Sequence, residues 1–233
     1  NGMIWIRGNP LDYERWAREP GLEDWDFAHC LPYFRRLEHR LSEPDAYHGD
    51  SGPQYLTTPD CDNPLFEAFF GAVQEAGYPV TEDVNGYQQE GFSSFDRTTY
   101  RGRRWSAARG YYHPVKHRPN LTLICGAFTT RILFEGTRAV GVEYRKGRRR
   151  FTAYAGEIIC CGGAINSPTL LQHSGVGPAD RLTGLGIDVV QDLPGVGEDL
   201  QDHLEVYVQH ACTQPVSLYP ALAWWRRPWI GAE

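Results

Sequence analysis

No stretch of this sequence stays apolar for the roughly 18 residues that a membrane-spanning helix needs. No N-terminal segment has the charged, apolar and small-residue blocks of a signal peptide. Methionine occurs once, and the chain opens on Asn1-Gly2. It stops at Ile230-Gly231-Ala232-Glu233, just past an aromatic-rich segment, so an internal piece of a longer protein is expected. Positive charge is in the minority, with 23 Lys and Arg against 29 Asp and Glu and a net charge of −6. That balance disfavours a general nucleic-acid role. None of the six cysteines forms a C-x-x-C pair. Cys160-Cys161 fall inside a predicted buried strand, so free thiols are expected rather than a disulfide framework or a zinc site, and no metal ligands are assigned. Free thiols favour a reducing compartment. There is no internal repeat and no low-complexity tract. No G-x-G-x-x-G follows a strand. Gly195-Val196-Gly197-Glu198-Asp199-Leu200 has leucine where the third glycine should stand, and reads as a turn rather than a pyrophosphate cradle.

What is present suits an ordinary globular chain, 41% hydrophobic and 22% charged. Ile4 and Ile6 alternate in a short extended piece that enters a turn at Arg7-Gly8-Asn9-Pro10. A short helix from Pro10 to Arg18 follows. Asp26 caps a clearer helix with Phe27, Cys30, Leu31, Phe34 and Leu37 at helical spacing. Residues 42–62, rich in Pro, Asp, Gly and Ser, read as a long surface loop. Asn63-Pro64 opens a helix with Leu65, Phe66, Phe69 and Val73 on one face, closed by Gly77. Residues 80–104 are polar with weak periodicity. Strands are predicted over 120–125, 131–135, 138–144, 158–161, 189–190 and 206–212, and a short helix over 180–185. The basic run Lys146-Gly147-Arg148-Arg149-Arg150 sits at a hairpin tip and reads as a solvated turn.

One string says more than the rest. After Glu157-Ile158-Ile159-Cys160-Cys161 comes Gly163-Ala164-Ile165-Asn166-Ser167-Pro168-Thr169-Leu170-Leu171-Gln172-His173-Ser174-Gly175-Val176-Gly177. Glycines permit close backbone approach. Ser167-Pro168 reads as a helix N-cap with a first-turn proline. Leu170 and Leu171 would face a core, and Gly175 would end the helix left-handed. A strand, a glycine turn and a helix start can seat a phosphate or a dinucleotide, although such units are common in any α/β protein.

The full string resembles, at every defined position, the second signature of the glucose–methanol–choline (GMC) oxidoreductase family. Further likeness lies in Asn1-Gly2-Met3-Ile4-Trp5-Ile6-Arg7-Gly8-Asn9, Tyr47-His48-Gly49-Asp50-Ser51-Gly52-Pro53, Arg104-Trp105-Ser106-Ala107-Ala108-Arg109-Gly110-Tyr111 and Leu193-Pro194-Gly195-Val196-Gly197-Glu198-Asp199-Leu200-Gln201-Asp202-His203. Asn85-Gly86-Tyr87-Gln88-Gln89-Glu90-Gly91-Phe92 and residues 215–222 resemble choline-oxidising members in particular. The family's early glycine-rich signature has no counterpart, nor does its catalytic histidine, which is expected beyond Glu233.

The resemblance implies an α/β fold of two domains, a Rossmann-like FAD-binding sheet and an antiparallel substrate-domain sheet, both incomplete here. Residues 1–60 would belong to the FAD-binding region and its lid, 61–100 to the substrate domain, 101–202 to the FAD-binding domain, and 203–233 to the start of the substrate sheet. FAD would lie against Asn1, Gly2 and Ile4 at its ring and near Thr129, Cys161, Gly162, Gly163 and Ala164 at its adenosine. Alanine usually stands in the family where Gly162 stands here. His203 and Glu205 would share one strand face toward the alcohol, with Val206 and Val208 turned to a core. Glu205 and Trp225 would receive a quaternary ammonium, the tryptophan through cation–π attraction.

The implied reaction is FAD-dependent oxidation of choline to betaine aldehyde. Another primary alcohol is the alternative, and so is a truncated chain without activity. Electrons would go to oxygen or a quinone chain. The protein is expected to be cytoplasmic, or peripheral to the inner membrane, and this stretch inactive alone.

Overall fold

The computed structural model describes residues 2–42, 45–202 and 204–217. The chain forms two compact units, one built from residues 1–121 and 209–233 and one from 122–208. The class is α/β, with short, open sheets.

In the first unit, helix α1 (Pro10–Trp16) begins where Asn9 accepts a hydrogen bond from the Leu11 amide and Pro10 presets the first turn. Helix α2 (Phe27–Leu37) is capped by Asp26, as its sequence predicts, through the His29 amide at 2.8 Å. Tyr13 joins the two helices by ring contacts with Phe27 and Phe34. Strand β1 (Glu38–Arg40) continues directly from α2 and pairs in parallel with β2 (Gln54–Leu56). The expected long loop of residues 42–62 therefore contains a strand. Three residues are too few to show alternation in the sequence. Helix α3 (Pro64–Glu75) starts at the Asn63 cap and ends before Gly77, as expected. A small hairpin, β3 (Thr99–Tyr100) and β4 (Arg103–Arg104), closes the unit's ladders. Its buried apolar side chains include Leu56, Val73 and Val84.

The second unit centres on an antiparallel meander, β5 (Phe128–Glu135), β6 (Arg138–Lys146) and β7 (Arg149–Tyr154). Helix α4 (Gly163–His173) packs on β5. Strands β8 (Val176–Gly177) and β9 (Gln191–Asp192) pair in parallel around helix α5 (Ala179–Gly184). Ile132, Val176 and Leu182 form its buried apolar centre. Buried Ser174 links α4 to the meander: its hydroxyl donates to the Leu170 carbonyl and accepts from the Ile132 amide at 2.8 Å.

Several expected elements are corrected. Residues 120–125 and 158–161 are not in a ladder, and the 189–190 strand forms instead at Gln191–Asp192. Residues 206–212 also stay unpaired, with Val206 and Val208 exposed rather than turned to a core. Apolar runs announce burial, whereas a strand needs a partner that local sequence does not name. Cys160 and Cys161 are correspondingly exposed, not buried; all six cysteines are free.

Helix α4 starts at Gly163, so Ser167 and Pro168 lie inside it rather than at its cap. The Ser167 hydroxyl accepts a hydrogen bond from the Gly162 amide at 3.0 Å and so serves the turn behind it. Pro168, the sixth residue of the helix, has no N–H for the Ala164 carbonyl, so one bond of the helix ladder is missing there. Gly175 does end this segment left-handed, at φ 90°.

Candidate functional site

The second unit holds a cleft of about 880 Å³ between the start of β5, residues 157–162 and one face of α4. Thr129, Cys161 and Gly162 line it together with Asn166, Thr169 and Leu170. Ala164 lines a neighbouring hollow of about 590 Å³, shared with Gln172, Arg181 and Gly197. Gly163 stands between these two linings. It sits at φ 84°, a conformation glycine adopts without strain, and a Cβ built there meets no atom within 4 Å. Its open side is space that a ligand could approach. The 193–198 turn is tied to α4 where Gln172 Nε2 donates to the Val196 carbonyl at 2.7 Å. The Arg181–Glu198 ion pair, at 2.8 Å, ties the same turn to α5.

In the first unit, Gly2 is exposed and a Cβ there would also meet nothing within 4 Å. Ile4 bridges Arg97 and is 44% exposed. The segment these residues open is held from below by a buried chain of charges. Glu38 Oε1 accepts from Trp5 Nε1 at 2.8 Å and from the Arg7 guanidinium at 2.6 Å. Glu38 Oε2 lies 3.0 Å from His48 Nδ1, and His48 Nε2 lies 2.7 Å from Asp83 Oδ2. Arg40 then pairs with Asp83 at 3.1 Å and with Asp96 at 2.9 Å. Positive and negative groups alternate along the chain, so each desolvated charge has an opposite neighbour.

Close backbone approach places His48 there. A Cβ at Gly49 would fall 1.8 Å from the Arg35 carbonyl oxygen, and one at Gly52 would fall 2.4 Å from the Leu37 carbonyl. Only glycine lets this loop lie against the end of α2, above Glu38. Burial pushes the His48 ring toward neutrality, but its bonds to Asp83 and Glu38 outweigh burial and raise its pKa to about 9. Burial raises the Asp83 carboxyl, and the bonds from His48 and the Asn85 amide reverse this, holding it at about 2. Glu38 stays below its ordinary value against burial, through bonds from His48, Arg7 and Trp5.

Asp45, His48 and Asp83 bring possible metal-ligand atoms within 4.8 Å of one another. Both His48 nitrogens already face carboxylates, and Asp45 Oδ1 accepts from the Tyr47 and His48 amides. The group reads as an ion-pair relay rather than a metal centre. His48 was assigned no role from sequence; its glycine-flanked loop was the available signal. Glu38 and Asp83 gave none, being distant along the chain.

Of the expected substrate residues, only Glu205 falls among the described residues. Asn1, His203 and Trp225 lie outside the described residues. Glu205 is exposed and accepts a hydrogen bond from the Tyr207 hydroxyl at 2.5 Å. That carboxylate raises the Tyr207 pKa.

Comparison with known proteins follows the same lines. The chain is 59% identical, over its whole length, to the oxygen-dependent choline dehydrogenase of Pseudomonas syringae pv. syringae strain B728a, and spans 42% of that protein. The corresponding protein of Pseudomonas putida strain KT2440 is also 59% identical, with 42% of its length spanned. Among solved structures, pyridoxine 4-oxidase from Mesorbium loti superposes with a TM-score of 0.78 at 32% identity, covering 83% of this chain and 38% of that one. Formate oxidase from Aspergillus oryzae RIB40, at 24% identity and a TM-score of 0.74 over 82% of this chain and 35% of that one, shares the fold. Residues 1–205 match the family described as GMC oxidoreductase, and the chain belongs to that family.

Proposed function

We propose that this chain is part of an FAD-dependent alcohol oxidoreductase that converts choline to betaine aldehyde. The observation that carries the reading is 59% identity along the entire chain to proteins named oxygen-dependent choline dehydrogenase. The open backbone at Gly163 and the cleft lined by Thr129, Cys161 and Gly162, all in the second unit, suit a large cofactor approached by main chain. When bound, FAD supplies the two-electron acceptor for the hydride leaving the alcohol carbon. The protein's part is to bind and orient: small residues admit the cofactor, and a carboxylate at Glu205 balances the ammonium of choline. His48 is not free to take the hydroxyl proton, since both ring nitrogens are engaged.

The reading keeps the division into flavin-binding segments 1–60 and 101–202 and substrate segments 61–100 and 203–233. It takes oxygen as the electron acceptor, in line with the relatives' name, and a reducing cytoplasmic setting, in line with the free thiols. A second reading is oxidation of a neutral alcohol, favoured by the likeness to pyridoxine 4-oxidase. Its lower identity places it behind choline.

The test uses protein spanning the relatives' full length. Anaerobic addition of choline should bleach the flavin spectrum and release betaine aldehyde. Bleaching by pyridoxine but not by choline would overturn the choline reading. A protein without flavin would overturn the cofactor.

A further inference from the structure

The two carboxylates beside His48 are each split between two tasks. Glu38 gives one oxygen to His48 and the other to Trp5 and Arg7. Asp83 gives one oxygen to His48 and the other to the Asn85 amide at 2.8 Å. Asn85 in turn grips the N-terminal segment from its other side. Its Nδ2 donates to the Trp5 carbonyl at 3.0 Å, and its Oδ1 accepts from the Arg7 amide at 2.8 Å. Both arms that hold residues 5–7 thus meet at one imidazole. Trp5 and Arg7 are also fixed by the Asp96 and Tyr47 carbonyls, at 2.8 Å each.

We propose that His48 is a positioning residue: its doubly donating ring sets Glu38 and Asp83, and through them fixes residues 2–7 where the proposed flavin site requires them. The link to flavin rests on the function proposed above; the clamp itself does not. A doubly protonated ring can donate to both carboxylates, whereas a neutral ring has one donor for two acceptors. Loss of the proton would therefore release one arm and leave a buried carboxylate facing a lone pair. The other groups around His48 do not replace it. Arg7 holds Glu38 through Oε1, and Arg40 holds Asp83 through the same Oδ2 that faces His48. Both share these carboxylates with the imidazole, yet neither bonds the Glu38 Oε2 that His48 meets. Arg35 donates to the His48 carbonyl, not the ring, and Asp45 is occupied by amides. Arg40 and Asp45 lie 3.9 Å apart at the rim.

The test follows amide hydrogen exchange in full-length, flavin-loaded protein. His48→Gln and Asp83→Asn should each speed exchange at the Trp5 and Arg7 amides by about tenfold or more, with α3 amides unchanged. Raising the pH of the wild type through 9 should do the same once intrinsic rates are divided out, which needs no variant to fold. Unchanged exchange at Trp5 and Arg7, or equal acceleration across the first unit, would overturn the proposal, the second outcome marking His48 as merely structural. Flavin absorbance and fluorescence are recorded alongside. Selective acceleration with an altered flavin environment supports both readings. Selective acceleration with an unaltered flavin supports the clamp and overturns the flavin contact at residues 2–7.

Discussion

His48 Nε2 lies 2.7 Å from Asp83 Oδ2, in a bond enclosed enough to shift both groups far from their ordinary titration. The first prediction is the pH dependence this bond produces. His48 is raised from 6.5 to about 9, so its contribution to stability is complete below 6.5 and is lost as pH rises through about 9. Asp83 is lowered from 3.8 to about 2, so its contribution is complete above 3.8 and is lost as pH falls through about 2. Glu38, lowered from 4.5, adds to the acid side, so the unfolding midpoint should be flat from about 4.5 to 6.5 and decline on both sides. His48→Gln should flatten the alkaline decline and leave other carboxylates to shape the acid side. A wild-type alkaline limb that persists in His48→Gln would mean another group controls it.

Ser174 gives a prediction about the second unit. Its hydroxyl is the partner of the Ile132 amide, on a residue only 3% exposed. Ser174→Ala leaves that amide unpaired and should cost about 1–3 kcal/mol, read from urea unfolding. A change within about 0.5 kcal/mol, the usual range for surface substitutions, would show that the helix-to-sheet tie is not needed.

The sequence made the local features of this fold legible and left the non-local ones hidden. Asn9, Asp26 and Asn63 cap helices within three residues of themselves, and the hairpin of β5 and β6 turns at Gly136. Residues 157–161 have the composition of a strand, but they pair with no described strand. Ser167-Pro168 has the composition of a cap, yet the helix already starts at Gly163 and the Ser167 hydroxyl bonds back to the Gly162 amide. At the site, the glycine string was readable as an open backbone turn, because glycine's conformational freedom is a local property. The His48 relay was not, because Glu38, His48, Asp83 and Asn85 converge only once separate loops have closed.

The glycine turn supplies a third prediction, in which two neighbours behave differently. Gly163 at φ 84° has open space for a Cβ but the wrong backbone for one, so Gly163→Ala should cost about 1–3 kcal/mol of strain or shift the turn. Gly162 has an ordinary φ of −78°, and its added Cβ would press Asn166 Cβ at 3.1 Å. The Ser167 nitrogen at 3.2 Å and the Asn166 carbonyl carbon at 3.3 Å are pressed as well, so alanine fits once the first turn of α4 gives by a few tenths of an ångström. In full-length protein, Gly163→Ala should lower both the unfolding midpoint and the flavin bound per chain. Gly162→Ala should retain flavin. Stoichiometric flavin in Gly163→Ala would remove this turn from the cofactor site.

The last prediction concerns Glu205, whose exposed carboxylate accepts from the Tyr207 hydroxyl. A single exposed glutamate is usually just a solvated side chain, so the substrate role must be separated from general effects on the protein. Choline and 3,3-dimethylbutanol have nearly the same shape, but only choline is charged. If Glu205 balances the ammonium, Glu205→Gln in full-length enzyme should raise the apparent KM for choline by about tenfold or more, since the desolvated cation loses its partner. The KM for 3,3-dimethylbutanol should hardly move. Tyr207→Phe provides a second handle: it removes the neighbouring hydroxyl, leaves the carboxylate charged, and should spare the preference for choline. Equal losses for both alcohols in Glu205→Gln would point to orientation or folding instead. No loss for either would place the ammonium elsewhere, and the charge-recognition role of Glu205 would fail while the flavin chemistry stood.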